Sequence, residues 1–182
     1  DARALQTVAN GTTRLLVRVE SANDILKVLD LRKDFPALKM VLVGASEGWR
    51  VAQHIAAARV PVLASALNDL PEGFEKLSAT QSNIGRMKQA GVEVAIGMVN
   101  DREAHQLRYS TQYAGNLVSL NRVPRATGLS WDEAFAAISS KPAEIMGMGA
   151  QLGSLKAGRQ GDVVIWTGDP LELSTQVETV FI

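Results

Sequence analysis

Short apolar runs recur along the first half of this chain, and each is followed by a stretch with helical spacing. The predicted strands cover residues 14–20, 39–44, 60–64 and 92–98. This alternation favours a parallel sheet built from βαβ units, because parallel neighbours need a long crossover connection. The runs are continuously apolar, which predicts strands that are covered on both faces. The expected fold class is therefore α/β.

The segments between these strands carry helix signals. Ser21 and Asn23 are candidate caps for a helix through residue 35, which Pro36 ends. Helical spacing over 47–59 and 80–90 predicts two further crossover helices, and Gly91 closes the second. A helical stretch is also expected over 106–121.

The last third of the chain has a different pattern. Ser130 with Glu133 three residues later has the form of a capping box, and Pro142 suits the first turn of a short final helix. Residues 162–166 form a β-branched run between preceding glycines and a Gly-Asp-Pro turn at 168–170. This segment predicts a turn, a buried strand and a second turn.

The composition limits the classes of partner and of structure that we expect for this chain. The 182 residues include 19 basic and 19 acidic side chains, so no basic surface favours nucleic acid or an anionic membrane. Neither partner is expected. Cysteine is absent, which excludes disulfides and thiolate metal sites. No apolar run approaches the ~20 residues of a membrane span, and residues 1–10 lack the pattern of a signal peptide. The sequence leaves the compartment open.

Several motifs in the second half match one known family. The motifs GSL at 153–155, GDVVIW at 161–166 and GDPL at 168–171 resemble the C-terminal signature of the metal-dependent amidohydrolase superfamily, which includes imidazolonepropionase-like and prolidase-like enzymes. The stretches LRY at 107–109, GLSWDEA at 128–134 and PAE at 142–144 fit the same pattern. In that family the signature marks the exit from a (β/α)8 barrel into a small β domain.

The resemblance implies a domain division. Residues 1–150 would be the second half of a TIM-like (β/α)8 barrel, and residues 151–182 would be strands of a small C-terminal β domain. A complete barrel needs about 250 residues. Because four parallel strands alone leave open edges, we expect either a missing N-terminal half or a homo-oligomer.

The family's chemistry implies a divalent metal such as zinc at the carboxyl ends of the strands. Its ligands include histidines on barrel strands five and six and an aspartate on barrel strand eight, which the resemblance matches to the first, second and fourth predicted strands of this chain. The resemblance places Arg18, Gly44 or its neighbours, and Val99 at those positions, and a guanidinium cannot ligate a cation. Asn100 and Asp101 lie just beyond Val99, and a slip of register would bring Asp101 to the last position. We therefore expect no metal ligand and no cofactor in this segment.

Other polar residues are candidates for substrate contact. Arg18 and Glu20 lie on one face of the first strand, where an ion pair could replace the charge of a metal. Ser46 follows the second strand at a helix start that could meet an anion. Asp101 and His105, in the loop after the fourth strand, are the candidate catalytic residues, and an ordinary polar loop is the alternative.

The resemblance implies a hydrolase acting on carbon–nitrogen bonds of a small amide, with a small-molecule substrate. This segment alone is expected to be inactive, because half of the family's ligand set lies on other strands. The alternative is a degenerate relative that serves as a binding or structural scaffold. A freestanding flavodoxin-like domain is a weaker third interpretation.

Overall fold

The computed structural model describes residues 3, 5–66, 69–97 and 106–182. Its main element is a four-stranded parallel sheet in the order β1-β2-β3-β4. A separate antiparallel pair, β5 and β6, follows near the end of the chain. The strands are Leu15–Val19, Met40–Gly44, Val62–Ala64, Val94–Ile96, Val163–Trp166 and Val177–Phe181. The predicted α/β class with a parallel sheet is confirmed.

Helices connect the parallel strands and continue after them. Seven α-helices lie in the described ranges: α1 Gln6–Ala9, α2 Ala22–Asp34, α3 Ala52–Ala58, α4 Asn83–Gln89, α5 Ser110–Ser119, α6 Trp131–Ala136 and α7 Ser140–Ile145. Short 3-10 helices span Gly48–Val51, Phe74–Lys76, Leu107–Tyr109 and Leu120–Arg122. Within these ranges no helix has the length and apolar character needed to cross a membrane.

The predicted helix ends agree with the local chemistry. Ser21 is the N-cap of α2, and its hydroxyl accepts a hydrogen bond from the Asp24 amide at 3.2 Å. The capping box is present at α6, where Ser130 and Glu133 exchange hydrogen bonds of 3.0 and 3.2 Å. Gly91, with φ of +86°, follows the end of α4. These signals act within a few residues, which is why the sequence reveals them.

The two faces of the parallel sheet have different neighbours. Val19 of β1 belongs to the large core that the sheet shares with the helices, and the partly buried Leu15 and Val17 pack against it. A smaller buried cluster on the other face contains Val41, Leu63, Ala95 and, from α7, Ile145. Because strand side chains alternate, Leu16 and Arg18 share that second face, which we call the inner face.

One expectation about the strands is wrong in part. β2, β3 and β4 are buried throughout, but β1 alternates between exposed and covered positions. Leu16 on its inner face is 41% exposed. β1 is exposed on its inner face because it pairs only with β2 in the described sheet. On the inner face, α7 packs against Val41, Leu63 and Ala95 of the other three strands.

The segment that contains β5 has the predicted turn, strand and second turn. Gly153 and Gly158 have φ values of +87° and +81°, which favour glycine. Asp169 closes the second turn by accepting the Leu171 amide at 2.9 Å, as its sequence context indicates. The expected burial of this strand is wrong, since Ile165 is 43% exposed. β5 has β6 as its only strand neighbour among the described residues, so much of its apolar surface stays open.

Candidate functional site

Polar side chains gather where the parallel strands end. Glu20 follows β1, Ser46 lies two residues beyond β2, and Ser65 follows β3. All three are buried, with exposures of 9%, 0% and 7%. The carboxyl ends of parallel strands meet at one edge of a sheet, which is the usual location of active sites in such folds.

Four side chains at this edge form one group, which we call the rim cluster: Arg18, Glu20, Ser46 and Lys76. Glu20 is its centre. The Ser46 amide and hydroxyl both donate to Glu20 Oε2, at 3.1 and 2.6 Å. Two donors on one oxygen fix the orientation of the carboxylate.

Backbone turns after β2 make this contact possible. Gly44 and Ala45 have φ values of +89° and +48°, a left-handed conformation that is unusual for alanine. The Ala45 amide donates to the Val19 carbonyl at 2.7 Å, and the Glu47 amide donates to the Glu20 carbonyl at 3.0 Å. The turn is therefore bound to the end of β1, which brings Ser46 beside Glu20.

The absence of a side chain at Gly44 leaves space for the carboxylate. A Cβ atom at this position would lie 2.5 Å from Glu20 Oε1 and 2.8 Å from Oε2. Both separations are far below van der Waals contact. The Glu20 carboxylate therefore occupies the space that any side chain at position 44 would enter.

Two cations approach the other oxygen of Glu20. Arg18 Nε lies 3.8 Å from Oε1 and Lys76 Nζ lies 3.9 Å from the same atom. The Lys76 side chain is 11% exposed, whereas that of Arg18 is 56% exposed. Lys76 also donates to the exposed Glu72 at 3.3 Å. The cluster thus combines a buried Lys–Glu pair with an accessible guanidinium.

Glu47, next to the rim cluster, has a structural role. Its carboxylate accepts the Ala22 amide at 3.0 Å and the Ser78 amide at 2.8 Å, and it pairs with Arg50 at 3.4 Å. Burial alone would raise the pKa of Glu47, but the two backbone amides, with the Arg50 charge, together lower this pKa below its usual value. Glu47 therefore joins the start of α2 to the loop that follows Lys76.

The structure brings together three of the residues chosen from sequence. Arg18 and Glu20 form the predicted ion pair, and the anion that Ser46 meets is the Glu20 carboxylate. Asp101 and His105 lie outside the described residues.

Two residues of this edge were missed by the sequence reasoning. Lys76 lies 56 positions beyond Glu20, and no local pattern indicates that they meet. Glu47 directly precedes the 3-10 helix at Gly48–Val51 but makes no side-chain cap bond to it, and its contact with the start of α2 has no local signal.

Comparison with known proteins identifies the family. The profile of the amidohydrolase family matches residues 29–182. The chain therefore belongs to the amidohydrolase family, as its C-terminal motifs indicate. Among curated proteins, amidohydrolase tasK of Hapsidospora irregularis is 40% identical over 55 residues, which are 30% of this chain and 6% of that protein.

Solved structures share the fold at low sequence identity. An amidohydrolase from Thermotoga maritima MSB8 superposes with a TM-score of 0.83 at 22% identity, covering 97% of this chain and 43% of that one. A prolidase complexed with N-methylphosphonate-L-proline gives 0.66 at 17% identity, with 97% and 45% coverage. An adenosine deaminase from Xanthomonas campestris with bound zinc gives 0.57 at 16% identity, with 84% and 37% coverage. The chain spans less than half the length of each.

The metal that the family implies does not fit the described residues. Of the three positions that the sequence predicts to correspond to the family's ligands, Arg18 is itself a cation and Gly44 has no side chain, while Val99 lies outside the described ranges. The Glu20 carboxylate is held by Ser46 and two cations. Across the described ranges, no three histidine, cysteine or acidic side chains form a group that could hold an ion.

Proposed function

We propose that this chain contributes half of the active centre of a hydrolase that acts on carbon–nitrogen bonds of a small amide. Residues 1–150 form half of a (β/α)8 barrel in this proposal, and residues 151–182 belong to an accessory β domain. Membership of the amidohydrolase family over residues 29–182 and the parallel strand order support it.

The observation that carries the proposal is the rim cluster. Glu20 is 9% exposed, yet it lies at the carboxyl edge of the sheet beside an accessible arginine. The carboxyl edge of a parallel sheet is where active sites of such folds lie, and these charged groups are at that edge. Arg18 and Glu20 face the substrate in this proposal, and the fully buried Ser46 acts by positioning Glu20.

Amide hydrolysis needs a proton donor for the leaving nitrogen and positive charge near the developing oxyanion. Arg18 is placed to supply fixed positive charge on the inner face. Asp101 and His105 are proposed as the proton-transfer residues, because they follow β4 in the chain. Their role is testable by substitution independently of Arg18.

Closure of the sheet is part of this proposal. β1 and β4 each have one strand neighbour in the described sheet, so each leaves a row of backbone groups for pairing. We expect preceding strands of the gene product, or a second copy of this chain, to cover these edges. Light scattering of this chain alone should show association or poor folding. A stable, well-folded monomer would contradict the expectation.

Hydrolysis by the full gene product tests the function. Ammonia or amine release should be measured with a panel of cyclic amides, N-acyl amino acids and dipeptides. Replacing Arg18 with glutamine should lower kcat/KM at least about tenfold, since hydrogen bonds to charged groups contribute roughly 1.5–3 kcal/mol. Arg122→Gln, an exposed position beyond α5, is the matched control and should retain activity.

A scaffold without catalysis is the second candidate, and one observation favours it. The Glu20 carboxylate fills the space above Gly44, a position that the sequence predicts to correspond to a metal ligand of the family. A folded gene product that hydrolyses nothing in the panel, with or without added zinc, would support the scaffold. Turnover that depends on Arg18 would support the hydrolase.

A further inference from the structure

We propose that Arg18 binds the carboxylate group of a small molecule on the inner face of the sheet, without a metal ion, while Lys76 neutralises Glu20 behind it. This inference rests on the proposed function for the location of the site, and it names the chemical class of the ligand. The donors of Arg18, the charges around Glu20 and the surrounding apolar wall support it.

Arg18 has unused hydrogen-bonding capacity. In the part of the chain that the structure describes, its guanidinium makes one ion pair, to Glu20 through Nε at 3.8 Å. A guanidinium carries five N–H donors in a planar fork, which matches the two oxygens of a carboxylate. The side chain is 56% exposed, so its terminal nitrogens can reach a ligand.

The contacts of Glu20 leave Arg18 accessible. Ser46 holds Oε2, and Lys76 approaches Oε1 from a buried position. Arg18 approaches the same oxygen through Nε at 3.8 Å, so its terminal nitrogens remain for an external anion. Lys76 also pairs with Glu72 at 3.3 Å, so the two cations and the two carboxylates of this group balance. Of the two cations, Arg18 is therefore the one that a ligand on the inner face can reach.

The neighbours of Arg18 are apolar. In the strand register Arg18 is opposite Val43, which is in turn opposite Leu63. Leu16, two residues before Arg18 on the same face, is 41% exposed. These apolar neighbours offer a surface for the uncharged part of a ligand.

Paired ligands that differ only in charge test this site. Titration calorimetry of the full gene product should compare N-acetylglycine with N-acetylglycinamide, and other N-acetyl amino acids with their carboxamides. We expect the carboxylates to bind at least about tenfold more tightly, consistent with one charged hydrogen-bonding pair. The preference should survive EDTA treatment.

Variants separate the roles of the cluster. Arg18→Gln should abolish the carboxylate preference, Arg18→Lys should retain part of it, and Arg122→Gln should leave it unchanged. Glu20→Gln should increase carboxylate affinity, because Arg18 loses its internal competitor. Lys76→Met should decrease this affinity, because Arg18 becomes the remaining cation partner of Glu20. Circular dichroism and thermal melting would verify that each variant is folded.

Several results would overturn the inference. These are equal binding of acids and amides throughout the panel, a preference that survives Arg18→Gln, and a preference that EDTA removes. Loss of affinity in Glu20→Gln would also contradict it. Carboxylate preference without hydrolysis would support the binding site at Arg18 and contradict the proposed hydrolase. Hydrolysis without carboxylate preference would support the hydrolase and contradict the binding site.

Discussion

The carboxylate of Glu20 lies in the space that a side chain at Gly44 would occupy. An added Cβ atom would be 2.5 Å from Oε1, although the two residues are on different strand ends. The glycine is therefore required for a reason beyond its φ of +89°. Its missing side chain lets the acid reach Ser46.

Replacing Gly44 with alanine should destabilise the protein more than replacing Gly91. Both glycines have similar φ values, +89° and +86°, but a Cβ atom added at Gly91 would meet nothing within 4 Å among the described residues. Gly91→Ala should cost roughly 1–2 kcal/mol from backbone conformation alone. Gly44→Ala should cost about 1–3 kcal/mol more, because Glu20 must leave its hydrogen bonds. Urea unfolding measures both free energies.

The additional loss of unfolding free energy in Gly44→Ala, relative to Gly91→Ala, should depend on Glu20. In a Glu20→Ala background, Gly44→Ala should cost about as much as Gly91→Ala does, as a double-mutant cycle would show. An excess cost that persists without Glu20 would mean that another contact restricts position 44.

Lys76 and Lys88 offer a test of burial in ion pairs. Lys76 lies 3.9 Å from Glu20 and Lys88 lies 3.8 Å from Glu133, but the first pair is buried and the second is about 40% exposed. Lys76→Met should destabilise by roughly 1–3 kcal/mol, because it removes the buried cation beside Glu20 while Arg18 and Ser46 remain. Lys88→Met should cost less than about 1 kcal/mol. Equal losses in chemical denaturation would contradict this explanation.

Glu47 should make the free energy of unfolding depend on pH in the acid range. Its folded-state pKa is lowered, so its contribution is present above the unfolded pKa of about 4.3 and is lost as pH falls through the folded value. At neutral pH, Glu47→Gln should cost roughly 1–3 kcal/mol through weakened bonds to Ala22 and Ser78. This difference from the native protein should shrink below about pH 4. A difference that stays constant from about pH 7 to pH 3 would show that the charge of Glu47 is unimportant.

The capping box of α6 predicts a smaller effect. Ser130→Ala should destabilise by about 1 kcal/mol, because the Glu133 amide loses its acceptor. The Ser130 amide is the main cause of the lowered pKa of Glu133, and the Ser130 hydroxyl adds to it. The alanine variant should therefore also raise the Glu133 pKa in an NMR titration. Ser130→Thr keeps the acceptor and should behave nearly as the native protein does.

Sequence reasoning predicted local features well and distant contacts poorly. The caps at Ser21 and Ser130 and the turn at Asp169 each depend on residues within a few positions. The pairing of Lys76 with Glu20 depends on the path of the chain after β3, which no periodic pattern encodes. Arg18 and Glu20 were predictable together because alternation along one strand places them on one face.

The exposure of individual strands could not be predicted from the sequence either. Continuous apolar runs predicted full burial of β1 and β5, whereas Leu16 and Ile165 are 41% and 43% exposed. Apolar content indicates that a strand can be covered. Whether it is covered depends on its neighbours in the sheet and on the helices above it.

The amino-acid order by itself determined the alternation of strands and helices, the helix ends and the family. These follow from side-chain period, short-range hydrogen bonds and a long contiguous motif. Tertiary structure alone decided that Glu20 fills the space at Gly44 and meets Lys76, because strand register and loop path bring together groups that are far apart in the chain. The charge and shape of the candidate site arise from these long-range contacts.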